Sequence, residues 1–158
     1  MADAKRPQMT RVVIPASGAG LAKGTHPIIN INSRSENPMT FFSARVCKSG
    51  GTDHDTDVIL RLDGNIVLQE NFKALIGLGL KQAADNYSAT VYEGKINNKD
   101  IQTITISFPA PLSFSNDLVI EANIKEDGVQ KMEGTVYWGT DDIIVHAGPG
   151  DPDPPLFP

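Results

Sequence analysis

One cysteine, Cys47, is the whole complement of this 158-residue chain. That excludes an intrachain disulfide framework. Cys47 sits in an apolar stretch and reads as a small buried hydrophobe; a nucleophile would need a histidine beside it and a lowered pKa. Long hydrophobic runs are missing too. No stretch approaches the roughly 20 apolar residues of a membrane-spanning helix. Residues 1–7 have no apolar core and do not form a signal peptide, so a cytoplasmic location is expected. Positive charge is scarce: 14 Lys and Arg stand against 19 Asp and Glu, for a net charge of −5. Without a basic run, a nucleic-acid partner is not expected.

Catalytic signatures are equally absent. There is no Gly-x-Ser-x-Gly, and His26, His54 and His146 lack metal-ligand spacing. The glycine-rich run from Ala16 to Thr25 has the wrong order for a phosphate loop. It reads Lys23-Gly24-Thr25, and His26-Pro27 follows where a helix should begin. The chain therefore reads as a non-enzyme.

What is present fits an ordinary globule: 40% hydrophobic and 21% charged residues. A chain of this length forms one domain and buries enough surface to need no covalent staple. Its organising stretch is Asp57–Gln69, two strands joined at Asp63-Gly64. Asp-Gly suits a type I′ turn, which needs positive φ at both positions. An uninterrupted hairpin then sets Leu62 against Asn65, Arg61 against Ile66, Leu60 against Val67 and Ile59 against Leu68. Both of its faces would be apolar, which predicts cover on both sides and a central place in the fold.

Residues 1–10 form a flexible N-terminal tail in this reading, and 11–147 the folded domain. Strands are expected at Arg11–Ile14, Ile28–Ile31, Thr40–Cys47 and Tyr87–Tyr92. Ile101–Phe108 alternates cleanly and should stop at Pro109 and Pro111; Leu118–Ile124 alternates as well. Val129–Trp138 and Ile143–His146 complete the set. Residues 71–85 break the rhythm: Phe72, Leu75, Ile76, Leu80 and Ala83 fall near helical spacing behind an Asn71 N-cap. The connections between strands are mostly too short for parallel crossovers. The expected fold is mainly β, an antiparallel β-sandwich (jelly-roll-like) with one short amphipathic helix packed on it. Residues 148–158 form a proline-rich C-terminal arm that favours an extended polyproline shape.

Three stretches invite a functional reading. Asp53, Asp55 and Asp57 alternate, and on one face three carboxylates could converge on Ca2+, the cofactor such oxygens suit; the bland alternative is a solvated loop. Trp138, followed by Asp141 and Asp142, offers a flat ring with hydroxyl acceptors for a sugar, against the simpler role of a core or edge tryptophan. Neighbouring Asp141 and Asp142 point to opposite faces of a strand, which suits glycoside hydrolysis poorly. Leu156 and Phe157, at the end of the stiff arm, could dock on a neighbouring copy. The first expectation is a non-catalytic binding or assembly protein, a homo-oligomer with a docking C-terminal arm. The alternative is a carbohydrate-binding, lectin-like module assisted by calcium.

Overall fold

The computed structural model describes residues 8–32, 38–78, 81–84 and 87–140. The described residues form ten strands and one helix, in order: β1 Gln8–Ile14, β2 Gly24–Asn32, β3 Met39–Gly50, β4 Thr56–Leu62, β5 Asn65–Asn71, α1 Phe72–Leu78, β6 Lys81–Ala84, β7 Tyr87–Ile96, β8 Lys99–Phe114, β9 Asp117–Ile124 and β10 Val129–Thr140. They form two antiparallel sheets. One runs β1-β10-β3-β8-β7-β6, the other β2-β9-β4-β5. Strand 1 pairs with 10, 2 with 9 and 3 with 8, so the two halves of the chain lie along each other like one long hairpin wound across both sheets. This nested pairing is the jelly-roll arrangement, and the expected sandwich is the observed one.

Period-two patterning places the core. Ile104 and Ile106 of β8, with Leu118, Ile120, Ala122 and Ile124 of β9, are buried between the sheets. They meet Ala44 and Val46 of β3 and Val58, Leu60 and Leu62 of β4 in the same cluster. Aromatic packing adds Phe108, whose ring lies 5.7 Å edge-on from Phe41 and 5.4 Å from Tyr87.

The Asp63-Gly64 turn has positive φ at both residues, 53° and 83°, as a type I′ turn requires. Register then departs from the expected hairpin. Leu62 faces Asn65 and Arg61 faces Ile66, but a bulge takes up Val67, so Leu60 faces Leu68 and Ile59 faces Gln69. One inserted residue moves every later side chain to the opposite face. Leu68, Glu70 and Phe72 therefore point into the core, while Ile66 is left exposed. The hairpin is also less central than expected: β4 is interior to its sheet but β5 is an edge.

Two further boundaries move. The expected helix over 71–85 is confined to Phe72–Leu78 and gives way to β6. Gly77 and Gly79 each cost a helix about 1 kcal/mol relative to alanine, enough to end so short an element. Its start is as read: Asn71 Oδ1 accepts the Ala74 N–H at 3.0 Å, and Phe72 and Leu75 are fully buried. Strand β8 does not stop at Pro109 and Pro111. Its register with β3 jumps between Ser107 and Leu112, opposite Phe42, and the prolines sit in that interruption, where no ladder N–H is demanded of them. Ile143–His146 lies outside the described residues.

Candidate functional site

Strand β3 buries Ala44, Val46 and then Lys48 in the same inward phase. The lysine is a cation where the pattern calls for an apolar side chain. Its side chain and that of Glu126, from the β9–β10 turn, are both fully buried, 3.5 Å apart. Lys48 Nζ donates to Gly50 O at 2.8 Å, to His54 Nδ1 at 3.0 Å and to Gln102 Oε1 at 3.0 Å. The ammonium's three hydrogens are thus used, and the His54 ring carries its proton on Nε2. Lys48 also stands 5.4 Å from the centroid of the Phe72 ring. Burial lowers the Lys48 pKa, and the Glu126 carboxylate restores part of that loss.

Glu126 is saturated as well. It accepts Thr56 Oγ1 at 2.6 Å, the His54 N–H at 2.8 Å and the Asp53 N–H at 3.3 Å. Loop 51–55 is therefore pinned from inside by one buried ion pair. Gly51 makes the pinning possible. Its φ is +104°, and a Cβ there would collide with the Glu126 carboxylate and lie 2.7 Å from Lys48 Nζ.

Outside this buried pair lies the expected cation loop. The structure brings Asp55 and Asp57 together and holds Asp53 apart. Asn71 Nδ2 donates to Asp55 Oδ1 at 2.9 Å and to Asp57 Oδ1 at 2.8 Å. Lys125 Nζ is 3.2 Å from Asp57 Oδ2 and 3.5 Å from Asp55 Oδ1. The counter-charge here is an ammonium. Asn71 first, then Lys125, keep the Asp55 carboxyl below its ordinary pKa, and Asp57 raises that of Lys125. Asp53 turns away, accepting the Asp55 N–H at 3.2 Å and pairing loosely with Lys73 at 3.9 Å. Among the described residues no three His, Cys, Asp or Glu side chains converge as a metal site.

At the other end of β10, Trp138 is half-buried against the core and its Nε1 donates to Thr10 Oγ1 at 3.0 Å. Its polar handle is spent within the sheet. Asp141, Asp142, His146, Leu156 and Phe157 lie outside the described residues. Cys47 is not in the core as its apolar stretch suggested. It is half-buried on the outward face of β3, paired across the sheet with Glu133 and Thr103. A recess of about 400 Å³ there is lined by Cys47, Ile96, Ile101, Lys99, Lys131 and Glu133.

Sequence reasoning missed Lys48 and Glu126. The signal was present in the phase Ala44, Val46, Lys48, which placed the lysine inward. Glu126 had none, because Glu126-Asp127-Gly128 is composed like any solvated turn.

The described residues define an antiparallel jelly roll in which the buried Lys48, Glu126, Asp57 and Glu70 serve internal contacts. No helix among them is long and apolar enough to cross a membrane. No family model matches the chain, and no curated protein sequence matches it. Among solved structures it is similar to that of the infectious bursal disease virus Gx strain, at 13% identity over 88% of this chain and 42% of that one, with a TM-score of 0.20. The chain thus spans less than half of that structure's length.

Proposed function

We propose that this chain is a non-catalytic assembly protein: a homo-oligomeric β-sandwich whose C-terminal arm takes part in subunit contacts. Jelly rolls serve both as assembly units and as sugar-binding modules, so the architecture alone does not choose between them. One observation carries the choice. β10 ends at Thr140, beside the start of β1, and Met9 of β1 lies directly opposite Tyr137 there. Both are exposed, Met9 at 58% and Tyr137 at 38%. The chain beyond β10 therefore leaves from an apolar corner, and it includes the proline-rich arm. Eleven residues in a polyproline helix reach about 34 Å, far enough to contact a neighbour. Swapping such segments is an easy route to an oligomer.

The lectin reading draws less support. Its ring, Trp138, is engaged with Thr10 and the core, and the Asp55–Asp57 pair is already neutralised by Lys125. Deleting residues 148–158 tests the proposal. Light scattering should then record a lower mass in solution at the same concentration and an unchanged circular dichroism spectrum. An unchanged mass overturns the role of the arm.

A further inference from the structure

We infer that β1 is the edge on which a second copy of this chain pairs, strand to strand, joining two six-stranded sheets into one across a two-fold axis. The inference deepens the assembly reading and rests on it, but it concerns a different surface from the arm.

An open sheet edge is a template for another strand, and proteins blunt edges they need to keep single. Among the described residues four strands stand at edges: β1, β6, β2 and β5. Three of them carry such a device. β2 contains Pro27 and loses register between Pro27 and Ile29. β5 contains the bulge at Val67. β6 is only four residues long. β1 has none of these. Its seven residues contain neither proline nor lysine, and they pair with β10 from Gln8 to Ile14 without a register shift.

The side chains of β1 suit a symmetric partner. Met9 and Val13 project from its outward face, and both are exposed. Between them Arg11 is its one charge. Arg11 Nε lies 2.5 Å and Nη2 3.0 Å from the two oxygens of Glu133 on β10. This forked pairing neutralises the guanidinium within each copy. Full antiparallel overlap of two β1 strands sets Met9 against Val13 of the second copy and Arg11 against Arg11. Two apolar cross-strand pairs then flank a neutralised centre.

The chain's own arm is a poor occupant of this edge. β10 exits at the Gln8 end of β1. A segment returning along the far side of β1 would have to cross β1 and run parallel to it. The arm also carries Pro149, Pro152, Pro154, Pro155 and Pro158, and proline cannot donate to a strand ladder. A second copy brings a regular strand and a two-fold axis.

The test compares the full chain with Met9→Lys, Val13→Lys and the 148–158 deletion, each by light scattering and thermal melting. The edge inference expects either lysine variant to fall to monomer mass, because a charge on the seam appears twice across the axis. Both positions are exposed, so the melting temperature of the monomer should hold. If the lysine variants keep their mass while the arm deletion loses it, the edge inference is overturned and the arm reading survives. The reverse result retains the edge and removes the arm. A monomeric full chain overturns both. As a geometric check, Met9→Cys and Val13→Cys chains in a Cys47→Ser background should form a disulfide-linked dimer when mixed. Failure of the mixture to cross-link while the mass remains dimeric also overturns the proposed register.

Discussion

Replacing Lys48 by methionine keeps the length of the side chain and removes the ammonium. Methionine leaves three acceptors behind without their donor: Gly50 O, His54 Nδ1 and Gln102 Oε1. It also leaves the Glu126 carboxylate buried without its cation. Removing one partner of a buried pair costs about 3–5 kcal/mol. At roughly 2–4 °C per kcal/mol for a domain of this size, the melting temperature should drop by about 6–20 °C. The double variant Lys48→Met, Glu126→Gln should lose less than the sum of the two single variants, by about 0.5–3 kcal/mol, because the pair and its hydrogen bonds form one network. Thermal unfolding followed by tryptophan fluorescence measures the first quantity and urea unfolding the second. A single variant as stable as the parent would refute the argument, since it would mean that the cluster does not hold loop 51–55.

A pH arm separates the charge from the packing. The folded pKa of Lys48 is lowered from 10.5, with desolvation the larger cause. In the interval between that lowered value and 10.5 the unfolded chain holds more protons than the folded one. Stability contributed by this group therefore rises with pH across that interval and is flat below it. Tyr87 works in the opposite direction. Burial, and then its hydrogen bond to Glu70, raise its pKa, so its contribution is full below about 10 and falls as pH climbs beyond that. The difference between parent and Lys48→Met cancels Tyr87. It should widen as the solution is made alkaline.

Two other perturbations follow. Asp63 accepts the N–H groups of Ser115, Asn116 and Asp117 at 2.9, 2.6 and 3.2 Å from its place in the β4–β5 turn. Asp63→Asn tolerates the same positive φ but loses the charge-assisted bonds, at about 1.5–3 kcal/mol. Burial alone would raise the Asp63 pKa; the three backbone donors outweigh it and hold the carboxyl below 3.8. The gap between parent and variant in a denaturant titration should be full above pH 4 and close as pH falls through the lowered value; a gap independent of pH would remove the charge from the account. With Lys125 between Asp55 and Asp57, the melting temperature of the parent should be the same in chelator and in excess Ca2+, while Lys125→Met should respond to Ca2+. A calcium-dependent rise in the parent would show that the ammonium does not fill that place.

Period two carried most of the architecture. Strands β8 and β9 alternate over enough residues to mark half-buried antiparallel layers, and Asp63-Gly64 announced its own turn. Where the reading slipped, the cause was local and invisible to periodicity. A bulge at Val67 adds one residue without changing composition, yet it exchanges the faces of Leu68, Glu70 and everything after them. Leu80 and Ala83 kept helical spacing across Gly77 and Gly79, but the accumulated cost of two glycines decides against continuing α1. The Asp53–Asp57 stretch was legible as a cluster of charge. Its partners were not, because Asn71, Lys125 and Glu126 approach from 14 to 73 residues away.

The two ends of the molecule divide its labour. At the 51–57 end the polar side chains that meet the buried pair and its loop are occupied: Lys48 with Glu126, Asp57 with Lys125 and Asn71, His54 with Lys48. Such saturation fixes loops but leaves little to offer a ligand, since a binding group must exchange one partner for another. At the β1–β10 corner the balance is reversed. Trp138 and Arg11 are satisfied inside the sheet, so what faces outward is the backbone edge of β1 with Met9, Val13 and Tyr137 beside it. A strand edge with apolar flanks gains most from another strand, which satisfies the backbone and covers the side chains in the same step. Recognition in this fold is therefore expected at that corner, through main-chain pairing, and not in the charged loop that first draws attention in the sequence.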